Sequence, residues 1–287
     1  MVWQLVILIL LFGPGTGQAQ PVLSAEDIPK FLAEVMQKQR DMNKQITEYT
    51  AMNKQTTHSC DDKRKFKQEV VLVSESYQST NRNVEVVLSQ NGKPLSEKKV
   101  EKERQEAVKA LIQDEHKRSS PDQINADQPG PELGLNYGTS KDRQVRLSTF
   151  DLFRSCQFSN PRQTEWKGRT MMVLDFQPSP MFTPPDRRLA PFGHLAGTVW
   201  VDAIDKVTAK VEAFLVDDLA RKEPALVFEY MRMPDGIWLI ASSRLNTAGN
   251  PAYFNDVCVD WAWEKTNFQR FTAQAGEAKI DAPKPKQ

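Results

Sequence analysis

The sequence predicts an α+β protein, mainly β: a curved antiparallel sheet, an incomplete barrel, with helices covering it. Three observations predict this. First, β-branched and aromatic runs follow one another at 166–176, 196–202, 207–216, 225–232, 237–245 and 253–264. Second, the turns between them are polar or contain glycine, as in Asp202-Ala203-Ile204-Asp205 and Pro234-Asp235-Gly236. Such turns make hairpins, and hairpins make antiparallel sheets. Third, many strands are apolar on both faces: Thr170, Met172, Leu174 and Phe176 alternate with Met171 and Val173, and Val207, Ala209, Val211, Ala213 and Leu215 alternate with Phe214 and Val216. Two apolar faces need two coverings. The two early helices can cover one face, and curvature can enclose the other in a trough.

In chain order, residues 5–12 (LVILILLF) form an unbroken apolar octet followed by Gly13-Pro14-Gly15 and small residues up to Ala19. Eight residues rise only ~12 Å as a helix, far short of a ~30 Å hydrocarbon core. The octet, with Gly17 and Ala19 at −3 and −1, predicts a signal peptide over 1–19 and a mature chain starting near Gln20, although MVWQ carries no Lys or Arg. The protein is therefore expected in the periplasm or outside the cell.

Residues 24–45 read as a helix capped by Ser24, with Asp27 in the capping-box position and a stripe of Ile28, Phe31, Leu32, Val35 and Met36. From Ile46 the period changes to two. Strands are predicted at 46–57, 66–74 and 84–89, with 75–83 as a polar turn and Asn91-Gly92-Lys93-Pro94 closing the meander. Ser96 then caps a helix over 97–118 that carries 13 charges, six of them acidic. Its pairs Lys99/Glu103, Lys102/Glu106 and Asp114/Arg118, and its narrow edge of Val100, Ala107, Val108, Leu111 and Ile112, describe a solvent-facing helix laid on a sheet. Residues 119–144 hold three prolines and three glycines and form a flexible excursion or lid. A brief helix is predicted at 147–153, before the dense strands, and 275–287 form a polar, disordered tail. Residues 20–274 thus make a single domain.

Composition narrows the function. With 38 basic and 37 acidic side chains, the net charge of +1 excludes the clustered excess a polyanion binder needs, so no nucleic-acid partner is expected. No later segment approaches membrane-helix length, so the chain is not an integral membrane protein. No G-x-S-x-G, H-E-x-x-H, C-x-x-C, Walker or G-x-G-x-x-G motif is present. No catalytic residue, metal ligand or cofactor is therefore assigned, and the chain is read as a non-enzyme. His58 and Cys60 share a strand face, and Asp202 and Asp205 flank a turn. Both pairs are read as structural rather than catalytic. Three cysteines permit one bridge. Cys60 and Cys156 fall at element ends, whereas Cys258 lies within a strand, on the face opposite Val257, Val259, Trp261 and Trp263. A Cys60–Cys156 bridge is expected, closing a loop of about 95 residues worth up to ~4 kcal/mol.

Three stretches carry a family resemblance: NGKPLS (91–96), FSNPRQTEWKGRTMMVLDFQPSP (158–180) and HLAGTVWVDAIDKVTAKVEAFLV (194–216). In layout and cadence the chain resembles uncharacterised exported bacterial proteins, the LolA-type lipoprotein carriers and the related RseB-type regulators. The charged helix and the Pro/Gly excursion depart from the carriers. The resemblance implies an incomplete antiparallel barrel around an apolar cavity, and a periplasmic binding protein for an acyl chain, a lipid or a lipidated protein. The alternative it implies is an envelope protein-interaction or sensory module without bound lipid. Phe176, Trp200, Phe228, Trp261 and Trp263 are the candidate cavity residues.

Overall fold

The computed structural model describes residues 23–43, 49–60, 65–78, 83–118, 149–184, 187–216, 223–246 and 259–270. The expected signal peptide, the excursion at 119–144 and the tail at 275–287 lie outside them.

The first helix begins as its sequence dictates. Ser24 caps a 3-10 turn at Ala25–Asp27: its hydroxyl accepts from the Asp27 N–H and donates to the Asp27 carboxylate at 2.6 Å. Helix α1 (Ile28–Asn43) follows and buries Ile28, Phe31, Leu32 and Val35, with Met36 half-buried. Each such side chain contributes about 1.5–3 kcal/mol relative to exposure.

The described strands are β1 (Tyr49–Cys60), β2 (Phe66–Gln78), β3 (Asn83–Gln90), β4 (Lys93–Pro94), β5 (Cys156–Trp166), β6 (Arg169–Pro178), β7 (Leu195–Asp202), β8 (Thr208–Leu215), β9 (Leu226–Arg232), β10 (Trp238–Asn246) and β11 (Val259–Arg270). They form one open antiparallel sheet in the order β4-β3-β2-β1-β11-β10-β9-β8-β7-β6-β5. Helices α2 (Glu97–Arg118) and α3 (Thr149–Ser155) complete the described elements, with a 3-10 segment at Arg187–His194. The mainly β, antiparallel, unclosed sheet expected from the sequence is the architecture observed.

Two departures have physical reasons. Residues 75–78, expected in a turn, continue β2, where the buried Glu75 carboxylate finds a partner on α2. Arg104 donates to both oxygens of the buried Glu75 carboxylate, at 2.7 and 3.2 Å, and the Tyr77 hydroxyl donates to it at 2.9 Å. Strand β5 precedes the strand run predicted from Trp166 onward and contains Asn160-Pro161. It tolerates them at the sheet edge, where the ladder bulges between Ser159 and Arg162 and Asn160 takes φ +52°. The 166–176 run is consequently two strands joined at Lys167-Gly168, both with positive φ as a tight hairpin requires.

Register separates the two faces of the sheet. One face, here called inner, carries Phe158, Phe176, Gly197, Ala213, Leu226, Leu245, Trp261, Thr57 and Val70 in successive opposite pairs from β5 to β2. Helix α3 packs on this face: the Phe153 ring stands edge-on to Phe158 at 5.5 Å, and Phe158 lies 6.0 Å from Phe176. Helix α1 joins the same core, with Arg40 over the Phe150 ring at 5.7 Å and the Met42 sulfur accepting from the Trp238 N–H. Helix α2 lies on the other side. Its Ala107 is buried against Tyr77, Val84 and Val86, on the outer face of β2 and β3. The expectation that both early helices share one face is thus corrected: the charged helix shields the outer face near one edge.

The expected Cys60–Cys156 bridge does not form. Cys156 opens β5 at one edge of the sheet, seven strand spacings from β1 in the ladder order. Cys156 is a free, buried thiol, pushed up to about 12 by that burial. Cys60 is disulfide-bonded. Cys258, outside the described residues, is the one cysteine left in the sequence to pair with it.

Candidate functional site

The register brings four of the five candidate residues onto one face and excludes the fifth. Phe176, Phe228, Trp261 and Trp263 are all inner-face positions. Trp200 is an outer-face residue, opposite Val173 and Lys210, with the Lys210 ammonium 5.0 Å above its ring. Its neighbour Val199 takes the inner position, so Trp200 cannot line a cavity with the others.

The inner face divides in two. From β5 to β9 it is filled: Phe176 is 3% exposed, Phe228 is fully buried, and both belong to the core that α1 and α3 complete. From β10 to β2 the covering thins. Trp263 is buried, but Trp261 beside it is half-buried, and so are Val70 and Leu72 on the same face of β2. The indoles of Trp261 and Trp263 meet edge to face at 6.2 Å, and Thr57 and Gln55 of β1 separate them from Val70 and Leu72. This half-open apolar strip is the candidate site.

At one end the strip becomes polar. Two residues beyond Trp263, Lys265 points to the same face, directly opposite Asn53 on β1, which in turn lies opposite Ser74 on β2. Lys265 is 3% exposed, and its ammonium has no hydrogen-bond partner. The ammonium lies over the Trp263 ring, 5.1 Å from its centroid. Burial pulls its pKa down to about 8, and the field of Glu85 opposes that shift. Glu85 itself accepts from Asn53 Nδ2 at 3.1 Å and from the Ser74 hydroxyl. The Asn53 carbonyl oxygen, the Ser76 hydroxyl and the Ser243 hydroxyl are also buried without partners. Unsatisfied buried polar atoms cost about 1–3 kcal/mol each, and an unpaired buried charge costs more. The sequence reading passed over this layer, although Lys265 is in phase with Trp261 and Trp263.

Other polar groups are structural. Asp202 Oδ1 accepts from the N–H groups of Ile204 and Asp205, and Arg169 donates to Asp202 at 2.5 and 3.0 Å. Asp205 accepts from Arg169, Arg232 and the Trp238 indole, so both carboxylates are occupied in bracing a turn. His58 lies on the outer face between Glu69 at 3.2 Å and Asp260 at 3.9 Å. Among the described residues no group of His, Cys, Asp or Glu could hold a metal ion. An open hollow of about 640 Å³ beside the start of α2, lined by Leu95, Glu97, Lys98, Val100, Glu101 and Arg104, balances two acids against two bases. Its Arg104 is already engaged by Glu75. No described helix is long and apolar enough to cross a membrane.

No family model matches the chain, and no curated protein matches it. Among solved structures, it is similar to a domain described as an outer membrane lipoprotein-sorting protein from Vibrio parahaemolyticus: TM-score 0.39, 12% identity, covering 90% of this chain and 97% of that one. A LolA superfamily protein from Nitrosomonas europaea gives a TM-score of 0.36 at 8% identity, covering 84% and 94%. The MucA/MucB complex of Pseudomonas aeruginosa gives 0.22 at 10% identity, covering 86% and 100%. The likeness to LolA superfamily proteins is remote.

Proposed function

We propose that this protein is an exported binding or carrier protein that receives an acyl chain, from a lipid or a lipidated partner, on the inner sheet face between β2 and β10. One observation carries the reading: Val70, Leu72 and Trp261, flanking Thr57 and Gln55 on the inner face, remain half-exposed where α1 and α3 no longer cover them. An apolar guest would complete that covering. Burying each methylene contributes ~0.8 kcal/mol, so a chain of ~16 carbons gains roughly 12 kcal/mol before ordering costs. Such a site needs few polar groups, which accounts for the lack of a recognisable motif.

The test is uptake of a fluorescent fatty acid by the wild-type chain and by Trp261→Lys. Trp261 is the informative position, because a charge at Phe176 or Phe228 would break the packed core instead. Saturable uptake that Trp261→Lys abolishes, with an unchanged circular dichroism spectrum, supports the carrier reading. Wild-type protein without uptake overturns it in favour of a face that docks protein.

A further inference from the structure

The polar layer at the end of the strip specifies the ligand further. We propose that Lys265 holds the anionic oxygen head group of a single-chain amphiphile whose tail runs along Trp263 and Trp261. This deepens the acyl-chain reading and rests on it.

The geometry supplies three requirements of such a site. The cation is in place: Lys265 is buried, points to the same face as the two indoles, and has no hydrogen-bond partner. A buried ammonium in a folded protein normally has a carboxylate or several acceptors around it. Glu85, the acid whose field reaches it, accepts from Asn53 and Ser74 through Oε2 and makes no hydrogen bond to the ammonium. A further donor borders the same strand: the Ser243 hydroxyl is buried and unpartnered, directly opposite Trp263. The spacing is also right. Lys265, Trp263 and Trp261 are alternate residues of one strand, so a chain lying along β11 meets a charge and then two indole faces at a rise of about 6.6 Å per step. A carboxylate or a phosphate monoester would accept a charge-assisted bond from the ammonium that a neutral alcohol could not match.

The experiment uses the mature chain loaded with the neutral dye N-phenyl-1-naphthylamine, displaced at pH 7 by dodecanoic acid, dodecyl phosphate or dodecan-1-ol. Acetate and inorganic phosphate serve as head groups without tails. The expected result is displacement by the acid or the phosphate at concentrations about tenfold below the alcohol, with no displacement by the tailless anions. Lys265→Met should remove that preference while leaving dodecan-1-ol unchanged, which also shows that the variant is folded. Glu85→Gln, at an exposed position, should strengthen acid binding a few-fold by removing a competing negative charge. Equal displacement by acid and alcohol in the wild type, or a preference that survives Lys265→Met, overturns the head-group assignment and leaves the acyl-chain reading standing. Displacement by acetate or inorganic phosphate alone overturns the amphiphile and leaves a free-anion site. If none of the tailed compounds displaces or binds, the acyl-chain reading has failed and this inference fails with it.

Discussion

Replacing Lys265 by Met should make the protein more stable, by an amount that depends on pH in a fixed direction. The side chains are similar in volume, and Met leaves no buried charge. Burial draws the Lys265 ammonium from an ordinary pKa of 10.5 to about 8, a destabilisation of the folded chain of about 3 kcal/mol at neutral pH. The folded chain gives up this proton near pH 8 and the unfolded chain keeps it until about 10.5. Between those values the folded state binds fewer protons, so its stability rises with pH. Below pH 8 the penalty is present in full; above 10.5 it is gone. Cys156 and the buried Tyr77 titrate in the opposite sense above about pH 9, because burial keeps them protonated in the folded chain. The assay is therefore urea unfolding of the wild type and Lys265→Met side by side, since the difference between them cancels those groups. The variant should be about 3 kcal/mol more stable at pH 7, and the gap should close toward pH 10.5. A variant no more stable at pH 7, or a gap that does not change with pH, would refute the reasoning. A residue that costs stability and is nonetheless present fits a role in binding.

Three further outcomes follow from the same structure. Alkylation of the denatured, unreduced protein should label one thiol per chain, identified by peptide mapping as Cys156; labelled Cys60 would contradict the bridge. Gly197→Ala should lower the melting temperature sharply or prevent folding, because an added Cβ would sit 1.9 Å from the Glu212 carbonyl oxygen on the neighbouring strand. Overpacking of this kind costs about 1–3 kcal/mol even where side chains can yield, so an unchanged melting temperature would contradict the β7–β8 packing. Export predicts that N-terminal sequencing of envelope-fraction protein begins at or within a few residues of Gln20, and full-length protein recovered from the cytosol would count against it.

What the sequence made legible was what alternation encodes. The α1 stripe is buried as its spacing predicts, and the strands from Leu195 onward fall within a residue or two of their predicted starts, β11 excepted. Local rules misled where tertiary partners overrode them. Glu75, Ser76 and Tyr77 looked like a turn because the Arg104 that pairs with Glu75 comes 29 residues later. The strand run read from Trp166 missed β5 ahead of it, whose Asn160-Pro161 is tolerated at the sheet edge. The Cys60–Cys156 expectation rested on both cysteines falling at element ends, and spacing along the chain does not reveal that Cys156 is a buried, free thiol at the sheet edge. Trp200 looked equivalent to Trp261 by type, but the residue-by-residue register turns it to the other face. Lys265 was visible in phase with the indoles, whereas its burial beneath the fold was not.

The most direct test of the central claim is quenching of intrinsic tryptophan fluorescence by a fatty acid brominated at its tail. Bromine quenches only at close range, and two of the six tryptophans lie on the candidate strip. The account predicts saturable quenching in the wild type that is largely lost in the Trp261→Phe, Trp263→Phe double variant, with binding itself retained. Quenching that persists undiminished in the double variant, or wild-type fluorescence that does not respond, would contradict it.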